Sequence, residues 1–484
     1  MRFAVRTFLL ATALSGVMPA SAGTLREALQ KAYATNPTLT GARAQQRAND
    51  ENAPINRARA LPTLSATGQF TEFVKSSSSS SFSSSPARQI TAGINASVPI
   101  YEGGAVKNGI RAADARIEAG RANLRDTEAS LFAQVVGAYM DVIRDQAIVG
   151  LQRANLGVLT VNLEATKDRF QVGDLTRTDV AQSQARLALA KSQYETAQSN
   201  LINSREQYIR LVGEPADNLE PPPPLPNLPA NPQIAVTTAL DNNPGLLAAA
   251  RQREAARFDI GVARASRLPQ LSAVAGGSYF NSLGSIVSST PGAFQNSGTG
   301  VTAGLSARIP LFQGGLPSAQ VRQAQARESQ AIEAVTEVER DVVAQTRAAY
   351  ASYQASNEVI VSSQSAVDAN TLSLEGVRAE NSVGNRTILD ILNAEQELLN
   401  SQVQLVSARR NSYVSGFSLL AAMGQAEARD LGLDGGALYD PVVNYKRVKN
   451  NIWDWNDDPK AAPVATRTVD TPAQTPAIMG PKLP

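Results

Sequence analysis

The order of apolar and polar positions in this chain is written twice. Over residues 90–100 every second position is apolar or Ala (Ile90, Ala92, Ile94, Ala96, Val98, Ile100), with Gln89, Thr91, Gly93, Asn95 and Ser97 interleaved. A period of two predicts a β-strand. Val301, Ala303, Leu305, Ala307, Ile309 and Leu311 repeat it. A weaker alternation precedes each copy, at Leu64, Ala66, Gly68 and Phe70 and at Leu271, Ala273, Ala275, Gly277 and Tyr279. Each half therefore holds one β-hairpin, over residues 61–101 and 268–312, with a polar loop at 76–85 and another near 288–298. A strand of about ten residues with one apolar and one small polar face fits a membrane barrel, and it also fits a half-buried strand of a soluble sheet. Four strands cannot close a barrel, since the smallest kind needs about eight, so any barrel must be shared between chains.

Beyond the hairpins the period lengthens. Ile110, Ile117, Leu124 and Leu131 recur at heptad spacing, which resumes after a skip at Val135, Val142, Val149, Leu156, Leu163 and Phe170. Sustained heptads predict a left-handed coiled-coil seam, and the skip is a stutter that locally unwinds it. The second half has Val321, Val335 and Val342, the same skip, then Tyr353, Ile360, Val367 and Leu374. Return helices are marked by Val180, Leu187, Tyr194, Leu201 and Tyr208, and by Ile391, Leu398 and Leu405. At 1.5 Å per residue an outgoing helix over 104–172 would be about 100 Å long.

The residues themselves recur as well. Val98-Pro99-Ile100-Tyr101-Glu102-Gly103-Gly104 returns as Ile309-Pro310-Leu311-Phe312-Gln313-Gly314-Gly315, and Val172-Gly173 returns at the same offset as Val383-Gly384. Such a long repeat is a duplicated structural half. The offset from Pro37 to Pro244 is shorter than that from Pro99 to Pro310, which places a short insertion in the loop near 281–297. The repeats occupy 23–213 and 234–424, with helical hairpins over 104–213 and 315–424 turning at tips 172–179 and 383–390. A stiff Pro-rich linker at 214–233, containing Pro221 to Pro224, joins them. Residues 425–455 form a further C-terminal segment, and 456–484, rich in Pro, Ala and Thr, read as a disordered tail. Gly103 with Gly104, and Gly314 with Gly315, predict tight turns from strand to helix, with Tyr101 and Phe312 at a membrane interface. Gly104 and Gly109 have the spacing of a phosphate loop, but Ile110 and Arg111 stand where Lys and Ser or Thr are required.

Residues 1–22 carry Arg2 and Arg6, then an apolar run and a small-residue site before Gly23. This pattern reads as a secretory signal, the run being too short for a spanning helix. The chain has no cysteine and no histidine. Disulfides, a lipidated N-terminal Cys, the usual zinc sites and His-based acid–base chemistry are thereby excluded. No cofactor or metal site is expected, and an enzyme is not. The formal charge of +2 comes from Arg2 and Arg6, which leaves nothing to suggest nucleic acid as partner.

An export signal, two copies of β-hairpin plus long helical hairpin, and two Val-Gly tips in order make residues 24–450 resemble the TolC family of outer-membrane channel proteins. The resemblance implies an α+β membrane protein of a Gram-negative outer membrane. It further implies a homotrimer whose 12-stranded β-barrel continues into a 12-helix periplasmic α-barrel. By the same resemblance Asp179 in the first tip (Val172-Gly173 to Thr178-Asp179-Val180) and Arg386 in the second (Val383-Gly384-Asn385-Arg386-Thr387) hold the periplasmic entrance shut. Asp390 rings the pore, and the Val-Gly turns dock a periplasmic adaptor. Family gates commonly carry Tyr, Thr and a second Asp where this chain has Asn381, Asn385 and Asn393, which implies a less aromatic gate and a weaker acidic ring. Without the family, the two glycines read as helix ends and the three charges as solvated.

The function implied is a passive exit duct recruited by an adaptor and an inner-membrane ABC transporter or proton-driven pump. Type I protein secretion is favoured over multidrug efflux, because the lipidated Cys of many drug channels is absent. A secreted soluble coiled-coil scaffold is the rival from another class.

Overall fold

The computed structural model describes residues 23–74, 86–216, 218–286, 295–433 and 438–477. The signal at 1–22 and the serine-rich loop at 76–85 lie outside the described residues. In chain order the helices are α1 (Leu25–Thr35), α2 (Pro37–Asp50), α3 (Asn52–Ala58), α4 (Ala105–Gln171), α5 (Arg177–Val212), α6 (Pro232–Asn242), α7 (Pro244–Ala265), α8 (Leu316–Ser382), α9 (Ile388–Ala422) and α10 (Pro441–Val448). Strands β1 (Thr63–Glu72) and β2 (Arg88–Glu102) follow α3, and β3 (Gln270–Asn281) and β4 (Ser297–Arg308) follow α7.

The four strands form one antiparallel sheet in the order β1-β2-β3-β4. Its register puts both alternations on one face. Phe70 stands opposite Ile90, Ala66 opposite Ile94, Ile94 opposite Gly277 and Gly277 opposite Val301, while Asn95, Gly276 and Thr302 line up on the other side. A one-residue slip would reverse this, so the shared apolar face specifies the register. That face is uncovered among the described residues: Ile94 is 57 % and Val301 89 % exposed.

Three sequence expectations change here. The extra residues of the second half lengthen the hairpin stem, because Tyr279 with Thr299 matches Glu72 with Arg88 and two further pairs continue to Asn281 with Ser297. The connections, 73–87 and 282–296, are equal in length. Ile100 is passed over by a β-bulge between Pro99 and Tyr101, which brings Tyr101 opposite Leu271 on the apolar face. Finally, β4 ends at Arg308 instead of running to Leu311. Pro310 has no N–H to donate, and no neighbouring strand among the described residues holds this edge, whereas β3 pairs with β2 as far as Glu102.

Gly103 and Gly104 turn β2 into α4 at φ values of 60° and 85°, and Gly314 and Gly315 turn the second half at 59° and 83°. At Gly103 there is also no room, since a Cβ would lie 2.7 Å from the Ala265 carbonyl oxygen. Each outgoing helix has 67 residues, but the return helices α5 and α9 have only 36 and 35. The remaining length of α4 packs on α2, α3 and α7, and that of α8 on α7. Ile117, Leu124, Leu131, Val135, Val142, Val149 and Leu163 are buried, as the heptads require, while Phe170 at the tip is 43 % exposed.

The main core lies midway along α4, where Phe132, Val135, Val136 and Tyr139 meet α1, the ends of α5 and α9, and α6. Tyr139 Oη reaches the carbonyl oxygens of Gly23 (2.9 Å) and Glu220 (2.6 Å), tying the first described residue and the inter-repeat linker to this core. Burial pushes its phenol well up. Part of the Pro- and Thr-rich tail also meets α5. Arg205 of α5, itself buried, donates to the carbonyl oxygens of Thr475 and Ala477, and Gln474 N donates to Glu206 at 3.2 Å, so residues to 477 run along α5. The Arg205 hydrogen bonds replace the water that a Pro- and Thr-rich segment would otherwise keep.

Candidate functional site: the helical tips

Each outgoing helix ends in the same turn. Gly173 N donates to Phe170 O and Asp174 N to Arg169 O; Gly384 N donates to Asn381 O and Asn385 N to Glu380 O. This is the Schellman closure of a helix, with Gly173 and Gly384 in the left-handed region at φ 86° and 85°. Val172 and Val383 stand beside them, 81 % and 70 % exposed. Exposed valines at two equivalent turns present an apolar point to whatever lies below the tip.

Each return helix begins with a capping box. The Thr176 hydroxyl accepts from Asp179 N, while the Asp179 carboxylate accepts from Thr176 N (2.9 Å) and Oγ1 (2.7 Å). Thr387 and Asp390 repeat this at 2.9 and 2.8 Å. The boxes satisfy helix-end N–H groups that would otherwise be orphaned. The Thr176 hydroxyl and amide hold the Asp179 carboxyl below the usual carboxylate range, and the Thr387 amide and hydroxyl do so for Asp390.

Within the chain, the expected link between Asp179 and Arg386 is not what these side chains make. Asp179 serves its own cap, and Arg386 pairs with Glu380 of its own tip at 2.6 Å, which raises its pKa. Arg169 and Asp174 do the same in the first tip at 2.6 Å. Asn381 donates to Arg386 O at 2.7 Å and so braces the second turn. The physical reason is reach: a carboxylate at the third helical position is one turn from its own cap, and that local bond needs no second hairpin.

Within the chain the hairpins are joined just above the tips, mostly by residues the sequence did not single out. Arg186 of α5 donates to Asn393 Oδ1 of α9 at 2.7 Å. Asn393, expected only as a missing acidic residue, is thus a gate candidate tied to the other repeat. Next to it Leu159 of α4, Ala190 of α5 and Leu392 of α9 form a small buried cluster. One turn on, the buried Glu395 accepts from Asn162 of α4 at 3.1 and 3.2 Å and from Arg378 of α8 at 3.1 Å. The signal for this network was available: Glu395 interrupts the apolar seam of Leu392 and Leu399. Among the described residues no group of carboxylates is arranged to hold a metal.

Comparison with known proteins agrees with this architecture. The family profile described as outer membrane efflux protein matches residues 28–214 and 235–425, the two repeats. The outer membrane efflux protein BepC of Brucella suis biovar 1 is 31 % identical over 92 % of this chain and 95 % of that one. The outer membrane protein TolC of Escherichia coli is 29 % identical over 70 % of this chain and 72 % of its own length. The alkaline protease secretion protein AprF of Pseudomonas aeruginosa is 26 % identical over 64 % of both. Among solved structures, the Campylobacter jejuni CmeC outer membrane channel superposes with a TM-score of 0.72 at 17 % identity, over 89 % of this chain and 90 % of that one. The relatives are channels of the outer membrane and not enzymes, which sets aside the soluble scaffold. With both repeats matched in full, this chain belongs to the outer membrane efflux protein family, the TolC-like channels of Gram-negative outer membranes.

Proposed function

We propose that three copies of the chain assemble into one passive exit duct, twelve strands closing a barrel in the outer membrane and twelve helical segments lining a periplasmic tunnel. The observation that carries this reading is the sheet itself. Among the described residues its edges β1 and β4 are both open, and nothing covers its continuous apolar face. An open edge in a membrane is costly, and only closure removes it. Four strands are too few to close alone. The apolar face then meets lipid, and the Asn95 and Thr302 face meets water.

The tips are the periplasmic entrance. Val172 and Val383, each beside its left-handed glycine, dock a periplasmic adaptor, and an inner-membrane ABC transporter or proton-driven pump supplies the energy. Asp390 contributes negative charge at the entrance. Type I protein secretion is the preferred cargo route, supported by the absence of a lipidated Cys and by likeness to a relative named for protease secretion. Multidrug efflux is the second reading, favoured by the name of the relative at 31 % identity. A deletion strain scored both for loss of a secreted protein and for drug sensitivity separates the two. Loss of export with unchanged drug sensitivity supports type I secretion; the reverse overturns it.

A further inference from the structure

After α9 the chain climbs along α2 and α3 and then comes back. On this ascending limb Tyr439 lies under Arg43, whose guanidinium is 5.1 Å from the ring; Asn444 donates to Asp50 at 2.8 Å; and Arg57 donates to Lys449 O at 2.9 Å. Arg447 then holds Asp458 by bonds of 2.7 and 3.0 Å. Beyond Asp458 the described tail has neither helix nor strand, yet it arrives at a definite place. Thr466 packs against Gly213, the left-handed cap of α5 at φ 88°, where a Cβ would lie 2.7 Å from the Thr466 hydroxyl oxygen. From there the tail follows α5 down to Arg205 and roofs a polar cavity of about 330 Å³, whose other walls are α5 and the turn between α1 and α2.

What α5 meets there is main chain. Arg205, only 6 % exposed, donates through its two terminal nitrogens to Thr475 O and, at 2.9 Å, to Ala477 O, while the neighbouring Glu206 accepts from Gln474 N at 3.2 Å. Consecutive residues of opposite charge thus supply donors for two carbonyls and an acceptor for the amide before them. The planar guanidinium fork suits carbonyls two residues apart on an extended chain. The sequence presets that shape, because Thr471-Pro472-Ala473 recurs as Thr475-Pro476-Ala477. Each Pro fixes its own φ, biases the Thr before it to the extended region and has no N–H to leave unpaired against the helix. Such a segment gives up little freedom on docking.

We infer that this face of α5 is a docking groove for an extended, proline-containing peptide, and that its occupant is the chain's own segment 471–477, seated as a C-terminal clasp. The clasp closes over the place where the two ends of the first repeat meet: Asn36, between α1 and α2, donates to Leu211 O at 2.8 Å, and Lys31 pairs with Glu214. Selectivity comes from the two prolines, since each of the three bonds from α5 ends on the backbone of the tail. A short tether presents the tail at an effective concentration of about a millimolar, so individually weak bonds keep it seated. The clasp is independent of the channel reading.

Ala473 is exposed and the chain has no native cysteine, so a nitroxide on Ala473→Cys in the full-length protein reports the seat without touching α5. Its spectrum should be motionally restricted. A free peptide of residues 466–477 at about 1 mM, matching the effective concentration of the tether, should free the label in about half of the chains. The same peptide with Gly for both prolines should free far fewer, and Pro472→Gly with Pro476→Gly in the chain itself should mobilise the label with no peptide added. A second nitroxide on Asn203→Cys, on the exposed surface of α5, should lie close to the first, also when the doubly labelled chain is refolded among an excess of unlabelled copies. A freely tumbling label in the unmodified chain would overturn the clasp. So would a restricted label that neither the peptide nor the proline changes release, since the tail would then be held by something other than this groove. Proximity lost on dilution would give the groove to the tail of a neighbouring copy and overturn its own chain as occupant. Each of these results leaves the channel reading standing.

Discussion

If the entrance is closed by contacts between hairpins, Arg186 should matter more than Arg386. Arg186→Ser removes a charged donor from Asn393, 2.7 Å away on the other repeat. Arg186 is half-buried and Asn393 exposed, so the bond is partly screened and contributes about 0.5–1 kcal/mol. Three symmetric copies then bias closure by about 1.5–3 kcal/mol, which is about ten- to a hundredfold in the ratio of closed to open. Arg386→Ser removes only a fully solvated pair with Glu380 inside one tip. The assay is single-channel conductance in planar bilayers, together with entry of a large antibiotic into cells. Arg186→Ser and Asn393→Ala should each raise both, with the double change no worse than either alone, while Arg386→Ser stays near the unmodified channel. A conductance that responds to Arg386→Ser but not to Arg186→Ser would refute the reasoning, and would mean that Arg386 finds its closing partner on a neighbouring chain.

Further outcomes follow from the caps, the sheet and the turns. Thr176→Ala should destabilise the first turn of α5 by about 0.5–2 kcal/mol, seen as faster amide exchange at 177–181 with the core around Tyr139 unchanged. Because the folded pKa of Asp179 is depressed, its carboxylate contributes stability at pH above the usual 3.8 and loses it as pH falls through the lowered value. Protection at that turn, taken relative to the intrinsic exchange rate at each pH, should therefore stay flat from neutral pH to about pH 4 and fall only below. In membranes, a Cys at residue 95 should react with a water-soluble maleimide and one at 94 should not; equal reaction would undo the assignment of faces. Gly103→Ala should cost more than Gly314→Ala in heat-dissociation assays, since only at Gly103 does a Cβ meet backbone, at 2.7 Å.

What the sequence made legible was whatever repeats with a period. Ile90 to Val98 and Val301 to Ile309 announce a strand face because lipid or core must see every second residue, and Val135 to Leu163 announce a seam because a neighbouring helix must see every seventh. Turns with a positive φ were legible because only glycine adopts them cheaply, at Gly104, Gly173, Gly315 and Gly384. The ascending limb after α9 has no such period. Its residues Tyr439, Asn444 and Lys449 meet Arg43, Asp50 and Arg57, and the periodicity belongs to those three on the helices they climb. The contact that Arg386 makes within the chain was hidden for a related reason. A charge can be assigned a distant partner from a motif, but Glu380 is six residues away in the same turn and needs no assembly to be reached.

The length of α4 has a mechanical consequence. The helix is gripped at its middle, where Phe132, Val135 and Tyr139 are fully buried, and only lightly held below, where exposure rises toward Phe170. From Tyr139 to the end of the helix at Gln171 is a rigid arm of about 48 Å. Tilting such an arm about its grip by only a few degrees sweeps its free end sideways by several ångströms. If the proposed entrance is built from such arms, it can widen without melting a single turn, and the few small bonds near the free end then hold it with the greatest leverage.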